Sequence, residues 1–513
     1  MTVDPATDAA DVEDPSPDAV SSDRETGPAD SAADGDGDDS DDSDEPGIWG
    51  RIDWLAVGVL FLVSSTLVGL HVRAYTTLSP IDELQHIDYV IKAGDFEPPH
   101  VNDLVGFDAM AEAACRSVDA PGYIGPLCGL DEYDPEDFQE NGVNTSAGQF
   151  PFYYTATGVV SRMIVGAGVL ESQVTAARMV GALWAGAAWS VMWYVLALLR
   201  IPRRRRAVAL AALIATPFTL FHAATVNADG VLMLTGAVAV LATMKFEARR
   251  LNGWLLLVAY AALYFVEPTN ALVIVPCVAY LAVRVSWRSD ASAIRRLLPL
   301  IAVPMVVLFR LRFAKSLQRL LFPASPRTNI PTANTDNAAP DGVVWDKVLA
   351  QIDTLFTPVN YAFVPDFLAS QRTAAMQEVV NWLLIGAMFA VAIGAGVVRT
   401  VDGPSPDEGP EDDAVRSSDE AMGVDEVMVA DERARWLTRI GIVALIAAGP
   451  FYTFSFAYFS NADFPSQARF ALPLVVFMVV GLAAALTTRW AMAIASTVVV
   501  LASANLLWLL LTP

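Results

Sequence analysis

Only three cysteines and four histidines occur in 513 residues, too few and too scattered for a zinc-type ligand cluster. Positive charge is also scarce. With 33 Lys and Arg against 57 Asp and Glu, the formal net charge is −24, which argues against a nucleic-acid surface and so against a nucleic-acid partner. There is no glycine-rich phosphate loop, no soluble nucleotide-sugar module and no repeat with a period of 20 to 50 residues. The N-terminus is acidic rather than basic and the first apolar run starts near Trp54, so no cleavable signal peptide is expected.

Apolar residues, in contrast, are abundant. They make up 54% of the chain, a share that fits a bilayer better than water. The acidity is regional: residues 1–50 carry 17 acidic groups against one arginine, and residues 401–434 carry 12 against two. The remainder is close to neutral. Residues 1–50 therefore read as a disordered acidic tail suited to a solvent of high ionic strength. Residues 401–436, with Gly403, Pro404, Pro406 and Pro410, read as a flexible acidic linker.

A hydrocarbon core of about 30 Å takes about 20 apolar residues in helical form. Runs of that kind predict an all-α integral membrane protein with about eleven transmembrane helices, at 54–71, 174–199, 207–225, 231–244, 254–266, 271–287, 297–313, 379–398, 437–458, 470–486 and 490–511. The membrane domain thus divides into 51–400 and 437–513. A twelfth apolar run, 151–170, decides the topology. Were it to cross, Arg203 to Arg206 would fall on the side opposite Arg51, against the positive-inside rule. Laid along the interface as a juxtamembrane helix, it brings Lys245, Arg249, Arg250, Arg288, Arg295, Arg296 and Arg489 inside together. The resulting topology is a multi-pass cell-membrane protein with its N-terminus cytoplasmic, its C-terminus extracellular, and outer loops at 74–170 and 314–377.

The unusual polar residues then gather on the outer side. Pro80-Ile81-Asp82-Glu83-Leu84-Gln85-His86 places two carboxylates and an imidazole within five residues, and Asp82 and His86 share a helical face. Such a set suits a general base with an orienting partner, or two ligands of a divalent cation; Asp82 capping a short helix is the plainer alternative. Pro151-Phe152-Tyr153-Tyr154 opens the interfacial helix. The turn after the third span holds His222, Asn227 and Asp229, and that after the fifth holds Glu267. The last outer turn holds Gln467, Arg469, Phe470 and Pro473. Arg469 and Arg178 sit at outer span ends, where a guanidinium suits a phosphate oxyanion or snorkels to headgroups. Cys277 reads as a packing residue; Cys115 and Cys128 share one polar loop, and a disulfide between them is open if that loop faces outside. Asn144-Thr145-Ser146, in the same loop, is a glycan acceptor sequon.

In this order and sidedness the set resembles the GT-C superfamily of polytopic glycosyltransferases, and most closely an uncharacterised branch of predicted membrane proteins within it. The matching positions are Pro80, Asp82, Glu83 and His86; Pro151, Phe152, Tyr153 and Tyr154; Asn227 and Asp229; and Gln467, Arg469, Phe470 and Pro473. Ile81 separates Pro80 from Asp82-Glu83, which the family pattern joins. The resemblance covers roughly residues 54–511 and implies inverting transfer of a sugar from a polyprenyl- or dolichyl-phosphate to a glycan or glycoprotein acceptor at the outer leaflet. It implies Asp82 as base, with Glu83 or His86 orienting it or helping to hold a divalent cation, magnesium or manganese, to which Asp82 and Asp229 would be ligands. Tyr153, Arg178, Asn227, Asp229, Glu267, Gln467 and Arg469 would bind substrate, and the arginines would offset charge on the departing phosphate. A catalytically silent scaffold of this fold and a lipid-linked glycan transporter or flippase are the competing readings.

Overall fold

A computed structural model describes residues 51–120, 122–285, 344–352, 371–394, 413–460 and 467–512, with Ile301 and Phe356. The acidic tail, the run at 297–313 apart from Ile301, and most of 314–377 lie outside the described residues. Within them the chain is helical, and its only β pairing is two isolated bridges.

The helices are α1 (Arg51–Ala74), α2 (Glu83–Gly94), α3 (Phe107–Arg116), α4 (Phe152–Gly166), α5 (Gln173–Leu198), α6 (Arg203–Ile214), α7 (Pro217–Ala224), α8 (Leu232–Glu247), α9 (Gly253–Val266), α10 (Ala271–Arg284), α11 (Gln371–Ala392), α12 (Asp413–Ser460), α13 (Val475–Ala485) and α14 (Arg489–Leu511), with a five-residue helix, Trp345–Leu349, before α11. Among the described residues, seven stretches are long and apolar enough to cross a membrane, or eight if the bent pair α6 and α7 counts as one span.

Of the eleven runs expected, the one at 297–313 lies outside the described residues apart from Ile301, and three others differ for local reasons. The run 207–225 breaks at Thr216-Pro217, where α6 and α7 diverge by 69°. Pro217 has no N–H to give and forbids the helical conformation at Thr216, whose hydroxyl instead caps α7. Helices α9 and α10 have 14 residues each, about 21 Å at 1.5 Å per residue, short of a hydrocarbon core of about 30 Å. Pro268 divides them through a 3-10 turn at Pro268–Asn270. Hydropathy registers apolar length; it does not see these breaks. In the segment expected to be a loose acidic linker, residues 413–436 are helical, continuing into the span as α12.

Contacts fix the relative direction of the first spans. Asp53, at the start of α1, accepts from Trp193 Nε1 (3.1 Å) near the end of α5, from Arg203 Nη2 (2.8 Å) and from Arg206 Nη1 (3.3 Å). At the other end, Arg178 near the start of α5 reaches the carbonyls of Tyr75 and Thr77, just beyond α1. Helices α1 and α5 are antiparallel, so Asp82 lies at the end of the bundle opposite Arg203 and Arg206. Lys245 of α8 lies over the Tyr194 ring at the arginine end, so α8 runs away from the Asp82 end.

Residues 75–170 are a folded cap with a core of its own. Leu84, Ile87, Tyr89, Met110, Tyr153 and Tyr154 belong to an apolar cluster separate from that of the spans. Helices α2 and α4 cross so closely that a Cβ on Gly158 would collide with the Val90 carbonyl. Helix α4, at 15 residues, packs on α2 and α5. Cys115 and Cys128 form a disulfide, and Cys277 is a buried packing residue.

Candidate functional site

The site forms where the cap meets the bundle. Arg469 opens the 3-10 turn Ala468–Leu474 that leads into α13, and Asp229 lies in the 3-10 turn Ala228–Val231 that leads into α8. The turn at Ala468–Leu474 touches both the one at Ala228–Val231 and the one at Pro268–Asn270. Gly236 allows this approach, because a side chain there would strike the backbone of Pro473.

Arg469 is nine-tenths buried. Its Nε lies 3.2 Å from Asp229 Oδ2, close enough for ion pairing but out of line for a hydrogen bond, and its Nη2 lies 3.7 Å from Asp82 Oδ2. Its Nη1 has no hydrogen-bond partner among the described residues. The guanidinium rests over the Phe470 ring, which stacks on Tyr452 of α12. One cation thus faces two carboxylates and keeps donors in reserve.

Asp82 is the N-cap of α2 by position but not by chemistry, since its side chain makes no capping bond. Its backbone is left-handed, φ 54° and ψ 15°, a conformation that costs a non-glycine residue about 1–2 kcal/mol. Its side chain is 43% exposed, so the carboxylate is open to a ligand. The neighbouring Glu140 and Asn141 are left-handed as well. Burial first, and then the Asp82 carboxylate, raise the pKa of Glu140 above the usual carboxylate value. Glu140 was not legible as a site residue, because nothing in its sequence context signals its backbone conformation.

Glu83 and Arg178 face each other rather than the opening. Arg178 Nε donates to Glu83 Oε1 (2.8 Å) and Nη2 to Oε2 (2.7 Å), with both side chains fully buried. Glu83 also accepts from the backbone N–H of Ser79 (2.6 Å) and of Val226 (2.8 Å). The pair therefore clamps the chain on both sides of Asp82 to the segment before Asn227. Asn227 in turn receives the Asp229 N–H on Oδ1 (2.8 Å) and donates its own N–H to the Tyr153 hydroxyl (3.1 Å). Glu83, Arg178, Asn227 and Tyr153 position the site's charged groups.

His86 is buried beneath them. Its Nδ1 meets the Tyr154 hydroxyl (2.8 Å) and the Ser146 hydroxyl (3.2 Å), and its ring stacks on Tyr154. Burial first, then the positive charge of Arg469, lowers its pKa from 6.5 to about 3, so it is neutral at ordinary pH. His222 lies against Phe218 and Phe221. Glu267 follows α9, accepts from Thr269 and contributes to the field at Tyr154. Gln467 is half-buried at the start of its turn, where its carbonyl accepts from the Phe470 N–H.

For a divalent cation the donor set does not fit as it stands. Asp82 and Asp229 flank a guanidinium that already supplies the positive charge, and no group of three or more His, Cys, Asp or Glu among the described residues is placed to hold a metal ion. The sequon Asn144 departs from expectation. It is buried, and its amide donates to the Asp88 carboxylate (2.7 Å) and the Gln85 carbonyl (3.2 Å), so it is part of the cap's interior rather than an open acceptor. No family model, curated protein or solved structure matches this chain.

Proposed function

We propose that this chain is a membrane glycosyltransferase that moves a sugar from a polyprenyl-phosphate carrier to an acceptor hydroxyl. The observation that supports this best is the meeting of Asp82, Asp229 and Arg469, drawn from three distant parts of the sequence, at one end of an apolar helix bundle. The acceptor oxygen attacks the anomeric carbon as the bond from that carbon to the phosphate oxygen breaks. The acceptor proton passes to the Asp82 carboxylate, and the bonding pair leaves with the phosphate, whose added charge falls to Arg469. A single displacement of this kind inverts the anomeric centre.

Little covalent help is needed, because a polyprenyl phosphate is a competent leaving group; positioning and charge carry the rate. Arg469 has a buried donor, Nη1, that is without a partner among the described residues and suits a phosphate oxygen. The 3.7 Å separation leaves Asp82 loosely held and able to turn to an acceptor when phosphate takes its place. The arginine-bearing end would face the cytoplasm by the positive-inside rule, which puts the cap and the reaction outside.

The test is transfer from a synthetic polyprenyl-phosphate sugar by the purified full-length chain in nanodiscs. Asp82→Asn should lower turnover by about 10²- to 10⁴-fold, the range for loss of a general base. Arg469→Gln should cost about 10²- to 10³-fold, as for removal of one oxyanion donor. Wild-type rates in both variants would refute the transferase reading.

A further inference from the structure

Most large apolar side chains of the cap are packed into its core, but the loop after α3 turns several outward. Ile124 is 93% exposed and Leu127 77%, and Leu130 is exposed as well. The exposure is built in. The Cys115–Cys128 disulfide closes the loop, and the Tyr133 hydroxyl braces it by accepting from the N–H groups of Gly129 (3.0 Å) and Leu130 (3.2 Å) while donating to the Leu127 carbonyl (3.2 Å).

The base of the loop is tied to the level where two spans end. Arg116 donates to the Thr76 carbonyl (3.3 Å), just past α1, and to the hydroxyls of Ser172 and Thr175 (both 3.0 Å) at the start of α5. Just after Arg116, Val118 forms an isolated parallel bridge with Leu78. Thr175 also lines an apolar cleft of about 500 Å³ between α1, α5 and the end of α4, which includes Val72, Met179, Val169 and Leu170. Thr175 is thus shared by the loop's tether and the cleft, which places the base of the loop beside apolar surface of the spans.

We infer that this loop is a membrane-interface anchor: Ile124 and Leu127 insert into the leaflet on the cap side and hold the cap against the bilayer. Rigid apolar side chains presented beside a span end find their low-energy surroundings among acyl chains. The flanking residues Asp131, Glu132 and Asp134 are acidic, so anionic lipid contributes nothing to the attachment. The inference needs only that the long apolar helices lie in a bilayer; it is independent of the transferase chemistry.

The test uses nitroxide labels on Ile124→Cys and Leu127→Cys in the full-length chain, in nanodiscs of zwitterionic lipid, with Glu136→Cys as an exposed reference. Native cysteines do not compete, since Cys277 is buried and the other two are bonded to each other. At such exposed positions the substitutions leave the core intact. Collisions with oxygen should outweigh those with a water-soluble nickel complex at 124 and 127, with the reverse at 136. Nickel accessibility at 124 and 127 equal to that at 136 would overturn the anchor. Protection from both reagents would overturn it too, because it would mean that protein rather than lipid covers the loop.

Discussion

The guanidinium of Arg178 and the carboxylate of Glu83 lie face to face across 95 residues of sequence, joined by two hydrogen bonds of 2.8 and 2.7 Å and fully buried. A surface pair of this geometry would contribute at most about 1 kcal/mol. Here, removing one partner strands a charge away from water. Glu83→Gln should therefore destabilise the chain by about 3–5 kcal/mol, read as a lowered unfolding temperature in detergent. The double variant Glu83→Met, Arg178→Leu should recover only part of that loss, because the N–H groups of Ser79 and Val226 and the carbonyls of Tyr75 and Thr77 lose their partners. If the single variant melts like wild type, the pair is not what holds the cap to the bundle.

Gly236 offers a test of the bundle side. Any Cβ at this position runs into the Pro473 backbone, so Gly236→Val must displace the turn that carries Arg469. Turnover should fall at least about tenfold, since small misplacements of catalytic groups are costly. Circular dichroism should still report a helical bundle. Unchanged turnover would show that the contact between α8 and that turn does not set the site.

The pH response of the cap follows from His86. Its folded pKa, about 3, lies below its unfolded value of 6.5, so the folded state resists protonation. Stability from this source is complete above pH 6.5 and is lost progressively as pH falls from 6.5 toward 3. His86→Gln removes the imidazole, and with it that portion of the acid sensitivity. Melting temperatures of wild type and variant at pH 7.5 and 5.0 should thus converge at the lower pH. Parallel curves would contradict the assignment.

Asn144 should carry no glycan when the chain is isolated from a host able to modify sequons, because its amide nitrogen is engaged within the cap. Intact mass spectrometry decides this. Asn144→Asp should also destabilise the cap, by setting a second carboxylate beside Asp88 at the place of a donor.

Much of this was readable from the sequence. Apolar runs located α1, α5, α8, α13 and α14 to within about five residues, because a span needs a continuous length that composition displays; α11 and α12 begin well before the runs expected at 379–398 and 437–458. The grouping of Asp82, Asp229 and Arg469 was expected from a count of crossings guided by charge sidedness, and the three side chains do meet. What escaped were backbone events: the bend at Thr216-Pro217, the 3-10 entries, and the left-handed residues at 82 and 140. The roles of Glu83 and Arg178 were also hidden, since two residues suited to substrate can satisfy each other once the fold brings them together. Asn144 shows the same limit, a surface motif by pattern and an interior one by packing.

The touching 3-10 turns have an electrostatic result of their own. Helices α8, α10 and α13 are entered through the turns that meet around Arg469, and α2 starts beside Asp82, so the positive ends of four helix dipoles lie in one region. Each helix start behaves as about half a unit of positive charge, and no change of pH or side chain removes it. A visiting anion would meet a standing attraction from the main chain itself, one that persists, weakened, after the guanidinium is taken away.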